Sequence, residues 1–125
     1  MLTAIQAARI HNVLIERFGG SAGIRDAGAL ESALRRPFQT FEGNDLYPNS
    51  TDKAAALIES LLVNHPFIDG NKRTGYVLMR IYLMDNGKDV NATQEEKFKF
   101  VMNIASGKFK FEEIVEWLSE HFSIE

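Results

Sequence analysis

Helical periodicity dominates the chain. Over Ala4 to Phe18, apolar side chains at Ile5, Ala8, Val13, Leu14 and Phe18 fall near one face of a helix, and Gly19-Gly20 stops it. Asp26 is a candidate N-cap for "AGALESALRR", which Pro37 ends. Pro37 to Ser50, "PFQTFEGNDLYPNS", has no helical period and holds Gly43, Asn44, Asp45 and Pro48. It predicts an ordered loop or short hairpin carrying Phe38, Phe41 and Tyr47. Ser50 or Thr51 caps the next helix, "DKAAALIESLLVNH". Its Ala54, Ile58, Leu61 and Leu62 form an almost wholly apolar stripe, as a central helix would. Pro66 ends it, because the residue before a proline avoids the helical region.

A further helix starts near Asn71, "NKRTGYVLMRIYLMDNG". Tyr76, Leu78, Met79, Ile81, Tyr82 and Leu83 face inward, and Asn86-Gly87 reads as its C-cap. "TQEE", Thr93 to Glu96, is a capping box that opens a helix through Phe98, Val101, Met102 and Ile104, closed by Gly107. A last helix from Phe111 to Phe122 buries Ile114, Trp117 and Leu118. Only "KDVNA" and the loop from Pro37 to Ser50 hint at strand. There is no internal repeat and no low-complexity segment. The pattern predicts one all-α domain over residues 1–125, a bundle of about six helices.

Composition narrows the function. The chain has 125 residues, 45% apolar, enough for one packed core. Charged residues are 25% and the net charge is -3, so direct nucleic-acid binding is not expected. The alternation "EEKFKF" and "GKFKFEE" reads as a core stripe with a solvated face rather than a base-stacking surface. Without cysteine there are no disulfides and no thiolate nucleophile or metal ligand, which fits the cytoplasm, where the protein is expected. The N-terminal stretch lacks a basic region followed by an uninterrupted apolar run, so it does not read as a signal peptide. No stretch approaches the roughly 18 to 20 apolar residues of a membrane span. His11 reads as a surface or half-buried structural residue and His121 as a helix-end dipole partner. No histidines stand at metal-ligand spacing, so no zinc site is expected.

The chemistry concentrates in "NHPFIDGNKRTG", Asn64 to Gly75. His65 ends a helix, Phe67 anchors the loop, and Asp69-Gly70 is a turn pair. Asn71, Lys72 and Arg73 then form the first turn of a new helix. Helix N-termini carry partial positive charge and favour acids, so two cations there are out of place unless an anion binds. Backbone N–H groups and both cationic side chains would converge on a phosphate, with Gly70 allowing close approach. Asp69 at the rim suits Mg²⁺, which takes one or two carboxylates beside substrate phosphates. His65 is the nearby residue type suited to general-base work. The set fits phosphoryl or nucleotidyl transfer to a hydroxyl. The same residues, taken singly, also make an ordinary tight corner.

"HPFIDGNKR" closely resembles the H-x-F-x-[DE]-[AG]-N-x-R motif of the Fic/Doc superfamily. The likeness continues in "RFGGSAGIRDAGALESALRRP", "YPNSTDKAAALIESLLVNHPFIDGNKRTG" and "ASGKFKFEEIVEWL", which together look like Doc-type (death-on-curing) toxins over nearly the whole chain. The resemblance implies a Fic-like helical bundle with a flap-like loop, Pro37 to Ser50, that docks the target segment. It implies ATP as phosphate donor and Mg²⁺ as cofactor. His65 and Asp69 would be catalytic, with Asp69 the metal ligand. Gly70, Asn71, Lys72 and Arg73 would hold the phosphates. Phe41 and Tyr47 in the flap read first as core anchors.

Two positions depart from the AMP-transferring pattern H-P-F-x-[DE]-G-N-G-R-x-x-R. Lys72 replaces a glycine and Tyr76 replaces the final arginine. Both match the Doc branch, in which the γ-phosphate passes to a threonine of elongation factor Tu and translation stops. An AMP transferase, or a silent binding module that kept the fold, remain as alternatives. The self-inhibitory pattern [ST]-x-x-x-E-[GN] is absent, so the resemblance implies an antitoxin whose C-terminal segment binds the toxin. Arg17, Arg25, Arg35, Arg36 and Arg80 stay open as further pocket cations.

Overall fold

The computed structural model describes residues 1–124. Six α-helices appear among them: α1 Ala4–Phe18, α2 Ala27–Arg35, α3 Ser50–Asn64, α4 Asn71–Asp85, α5 Gln94–Ala105 and α6 Phe111–Glu120. A short 3₁₀ turn over Arg36–Phe38 follows α2. Two antiparallel ribbons complete the fold: β1 Thr40–Phe41 with β2 Asn44–Asp45, and β3 Lys88–Val90 with β4 Phe122–Ile124. No helix is long and apolar enough to cross a membrane among the described residues.

Local capping sets most helix starts. Asp26 accepts from the Ala29 N–H, and Thr93 and Glu96 form the expected capping box. On α3 the cap is Asn49, which accepts from the Asp52 N–H at 2.9 Å, so Ser50 is already helical rather than the cap. The last helix ends at Glu120 rather than Phe122. There the chain turns extended to pair with Lys88–Val90, the segment that hinted at strand.

The core is built around α3. Its Ala54, Ile58, Leu61 and Leu62 are buried against Leu78, Met79 and Leu83 of α4, Leu30 and Leu34 of α2, and Ile114 and Leu118 of α6. Helices α3 and α4 pack tightly at Gly75, where an added Cβ would lie 2.3 Å from the Leu62 Cδ1. The ribbon β1–β2 is tied to α3 by two cations. Arg36 donates to the Tyr47 hydroxyl (3.0 Å) and the Ser60 hydroxyl (3.0 Å) and pairs with Glu59 (2.8 Å). Lys53 pairs with Asp45 at 3.3 Å and donates to the Tyr47 carbonyl.

Two helix faces differ from expectation. On α1 the buried residues are Ala7, His11 and Ile15, while Ile5 and Val13 are exposed (67% and 58%). Treating His11 as polar surface tilts the predicted stripe; with His11 inside, the face runs through positions 7, 11 and 15, one turn apart. On α5 the core takes Phe100 and Ile104, and Phe98 is 66% exposed. Phe100 wins because its ring stacks on Trp117 of α6 at 3.9 Å.

Candidate active site

Pro66 and Gly70 shape the site. Proline ends α3, and His65 becomes its C-cap in the left-handed region (φ 47°, ψ 61°). Glycine normally fills that position, and a side chain there costs about 1–2 kcal/mol. Gly70 also adopts positive φ (74°) and opens α4 without a side-chain cap. The N–H groups of Asn71, Lys72 and Arg73 in that first turn therefore have no partner within the helix.

The loop between them is held from both sides. Phe67 is buried, and Asn71 clasps its backbone: the Asn71 amide donates to the Phe67 carbonyl (2.9 Å) and accepts from the Phe67 N–H (2.9 Å). That amide is committed to closing the loop, and what Asn71 has left for a ligand is its backbone N–H. From α1, the buried His11 ring stacks on Phe67 at 4.0 Å, and its Nε2–H donates to the Asp69 carbonyl at 2.7 Å. Ile24 forms an isolated β-bridge with Phe67.

The predicted residues share one cleft. His65, Asp69, Gly70, Asn71, Lys72 and Arg73 line about 440 Å³ together with Phe18, Gly19 and Ile68. Phe67 lies beneath them in the core. Lys72 and Arg73 are exposed, and Arg73 rests over the Phe18 ring, 4.6 Å from its centre. Both cations also line a second, mostly apolar groove of about 290 Å³ between α4 and α5, floored by Tyr76, Val77, Phe98, Val101 and Met102. Arg36 and Arg80 are not cleft cations; they pair with Glu59 and Asp89.

The Asp69 carboxylate is aimed by backbone. Ser21 N–H donates to Oδ2 (3.0 Å) and Gly70 N–H donates to Oδ1 (2.8 Å). Gly20 is required beneath it, since an added Cβ would lie 2.8 Å from Oδ2. The Ser21 N–H, then the Gly70 N–H, hold the Asp69 pKa below its ordinary value. Its folded pKa lies below the unfolded one. The associated stability is therefore present above the unfolded carboxylate range and lost as pH falls through the folded pKa. We expect the Asp69 Cγ resonance to titrate below the model aspartate value of about 3.9; a midpoint at or above it would refute this hydrogen-bonding arrangement. Each oxygen keeps free lone pairs that a hard divalent cation could use. No cluster of three histidine or acidic side chains suited to a metal exists among the described residues, so such an ion would need further oxygens from a ligand.

A family model described as "Fic/DOC family" matches residues 1–83. The chain belongs to the Fic/Doc family. It is 47% identical over 75 residues to Toxin Doc of Mycolicibacterium smegmatis, a stretch covering 60% of this chain and 58% of that protein. The likeness to this relative thus spans little more than half of its length. Within the Fic/Doc match lie α1 to α3, the loop from His65 to Gly70 and most of α4; α5, which completes the second groove, and α6 lie beyond it. Three supports of this Fic/Doc site were not tied to it by the sequence: His11, expected to be merely structural, the Gly20-Ser21 turn, expected only to stop a helix, and Arg25, left open among several arginines. Each acts through a partner more than 35 residues away, so no local spacing marks it.

Proposed function

We propose that this chain is a Doc-type toxin that moves the γ-phosphate of ATP onto a protein hydroxyl. The observation that carries the reading is the uncapped first turn of α4. Three N–H groups and two cations, Lys72 and Arg73, converge there beside His65 and Asp69. Lys72 and Arg73 border both the cleft and the apolar groove, so phosphates on the turn would leave the nucleoside in the groove between α4 and α5.

In the transfer, His65 takes the proton of the target hydroxyl as its oxygen bonds to the γ-phosphorus. The bond to the β-phosphate oxygen breaks and ADP leaves. Lys72, Arg73 and the turn N–H groups hold the charge on the phosphate oxygens. Asp69 would hold Mg²⁺, which would supply neutralisation of phosphate charge. Tyr76 supports phosphate over AMP transfer. It stands where the AMP-transferring pattern has arginine, burial pushes its pKa to about 12, and its hydroxyl has no partner.

The β1–β2 ribbon is the surface on which a target segment would pair, with Phe41 exposed on it. By family resemblance the target is a threonine of elongation factor Tu in the cytoplasm, and an antitoxin's C-terminal segment is the brake. Incubation with ATP labelled at either the α or the γ position tests the reading. Label on the target is expected only from the γ position, with a mass gain of one phosphate; α-label would establish AMP transfer instead, and no label from either would favour a silent module.

A further inference from the structure

We propose that Arg25 is a positioning residue for His65. This rests on the phosphotransfer reading only for the name of the reaction. The problem it solves is created by Pro66. A helix that ends in a left-handed residue often closes with the N–H of that residue and of the next one donating to carbonyls of the preceding turn. Proline has no N–H, so the second of these bonds is lost at the helix end that carries His65. Arg25 instead ties this helix end from another segment, at the two carbonyls next to the proline. Its Nε donates to the His65 carbonyl at 2.6 Å and its Nη2 to the Asn64 carbonyl at 2.5 Å. A guanidinium is also the favoured charge at a helix C-terminus.

Arg25 is itself held in place. Its backbone N–H and that of Asp26 both donate to the Pro66 carbonyl (2.8 and 3.1 Å), and Ile68 N–H donates to the Gly23 carbonyl (3.1 Å). The segment 23–26 therefore runs along 66–68 as a rail, and the guanidinium fork reaches from it to the His65 carbonyl. His65 and Glu42 are the non-glycine residues at positive φ among those described. Of the two, only His65 lines the cleft, and its imidazole direction follows from that backbone. Without the fork, His65 is free to leave φ 47° and its ring swings out of the cleft. Arg25 does not line the cleft, so the loss is one of aim and not of nucleotide contact.

The test compares Arg25→Ala and Arg25→Lys with the unaltered chain. Arg25→Ala should lower kcat by about 10- to 100-fold, as small misplacements of a catalytic group do, while nucleotide Kd by calorimetry stays within about twofold. Arg25→Lys, with a point donor in place of the fork, should recover part of kcat. The backbone Cα shift of His65 gives a readout independent of which group is transferred: it should report a left-handed residue in the unaltered chain and move away from it in Arg25→Ala. A kcat within about twofold of the unaltered chain, a parallel loss of nucleotide affinity, or an unmoved His65 shift would each overturn the proposal. Failure of the phosphotransfer reading would show separately, as an AMP-sized product from the unaltered chain.

Discussion

His65→Asn is expected to cut target modification by about 10²- to 10⁴-fold, the usual contribution of a positioned base, or about 2.7–5.5 kcal/mol of barrier. Asparagine is the informative replacement because it accepts the left-handed backbone more readily than alanine. The two carbonyls that Arg25 holds stay where they are, and the loop below is not disturbed. The turn proposed to bind phosphate is built from α4 and does not use the imidazole, so ATP affinity should hold. Rates of γ-phosphate transfer and calorimetric ATP binding, measured on the same preparation, separate the two. A variant that keeps rates within a few-fold would remove His65 from the chemistry. One that loses nucleotide binding would make it a binding residue.

How much of this was legible depended on whether the cause of a feature was local. Asp26 and the Thr93–Glu96 box fix helix starts within three residues, and both read directly from the sequence. The site motif is contiguous, so the six residues that line one cleft could be named together from the sequence, and the odd placement of Lys72 and Arg73 on a helix N-terminus raised the expectation of an anion. Long-range partners left no such trace. His11 looked like surface because its partners, Phe67 and Asp69, are more than fifty residues away. Phe98 and Phe100 are equally apolar in sequence; Trp117 decides which one goes inside. Ser123 becomes strand only because Asp89 is there to pair with it. Arg36 was one arginine among several until Tyr47, Glu59 and Ser60 gathered around it.

Phe67→Ala should remove about 3–5 kcal/mol of folding stability, the range for truncating a buried phenylalanine. Phe67 is 1% exposed, and its ring is stacked on His11. The cost depends on whether the surroundings collapse into the space. Here they are restrained: the Asn71 amide holds both backbone groups of residue 67, and those bonds persist in the variant. Ile24 pairs with the same backbone, so the loop cannot sink to fill the cavity. The effect belongs in the upper part of the range, a large share of the roughly 5–15 kcal/mol that holds a domain together. Urea unfolding midpoints at constant slope would measure it, with Phe67→Leu expected to lose less. A loss below about 1 kcal/mol would mean that the loop does relax. The site should suffer beyond the loss of stability, because His11 would lose the ring that orients it and so its aim at the Asp69 carbonyl. Under conditions where the variant is still folded, its modification rate should remain below that of Phe67→Leu.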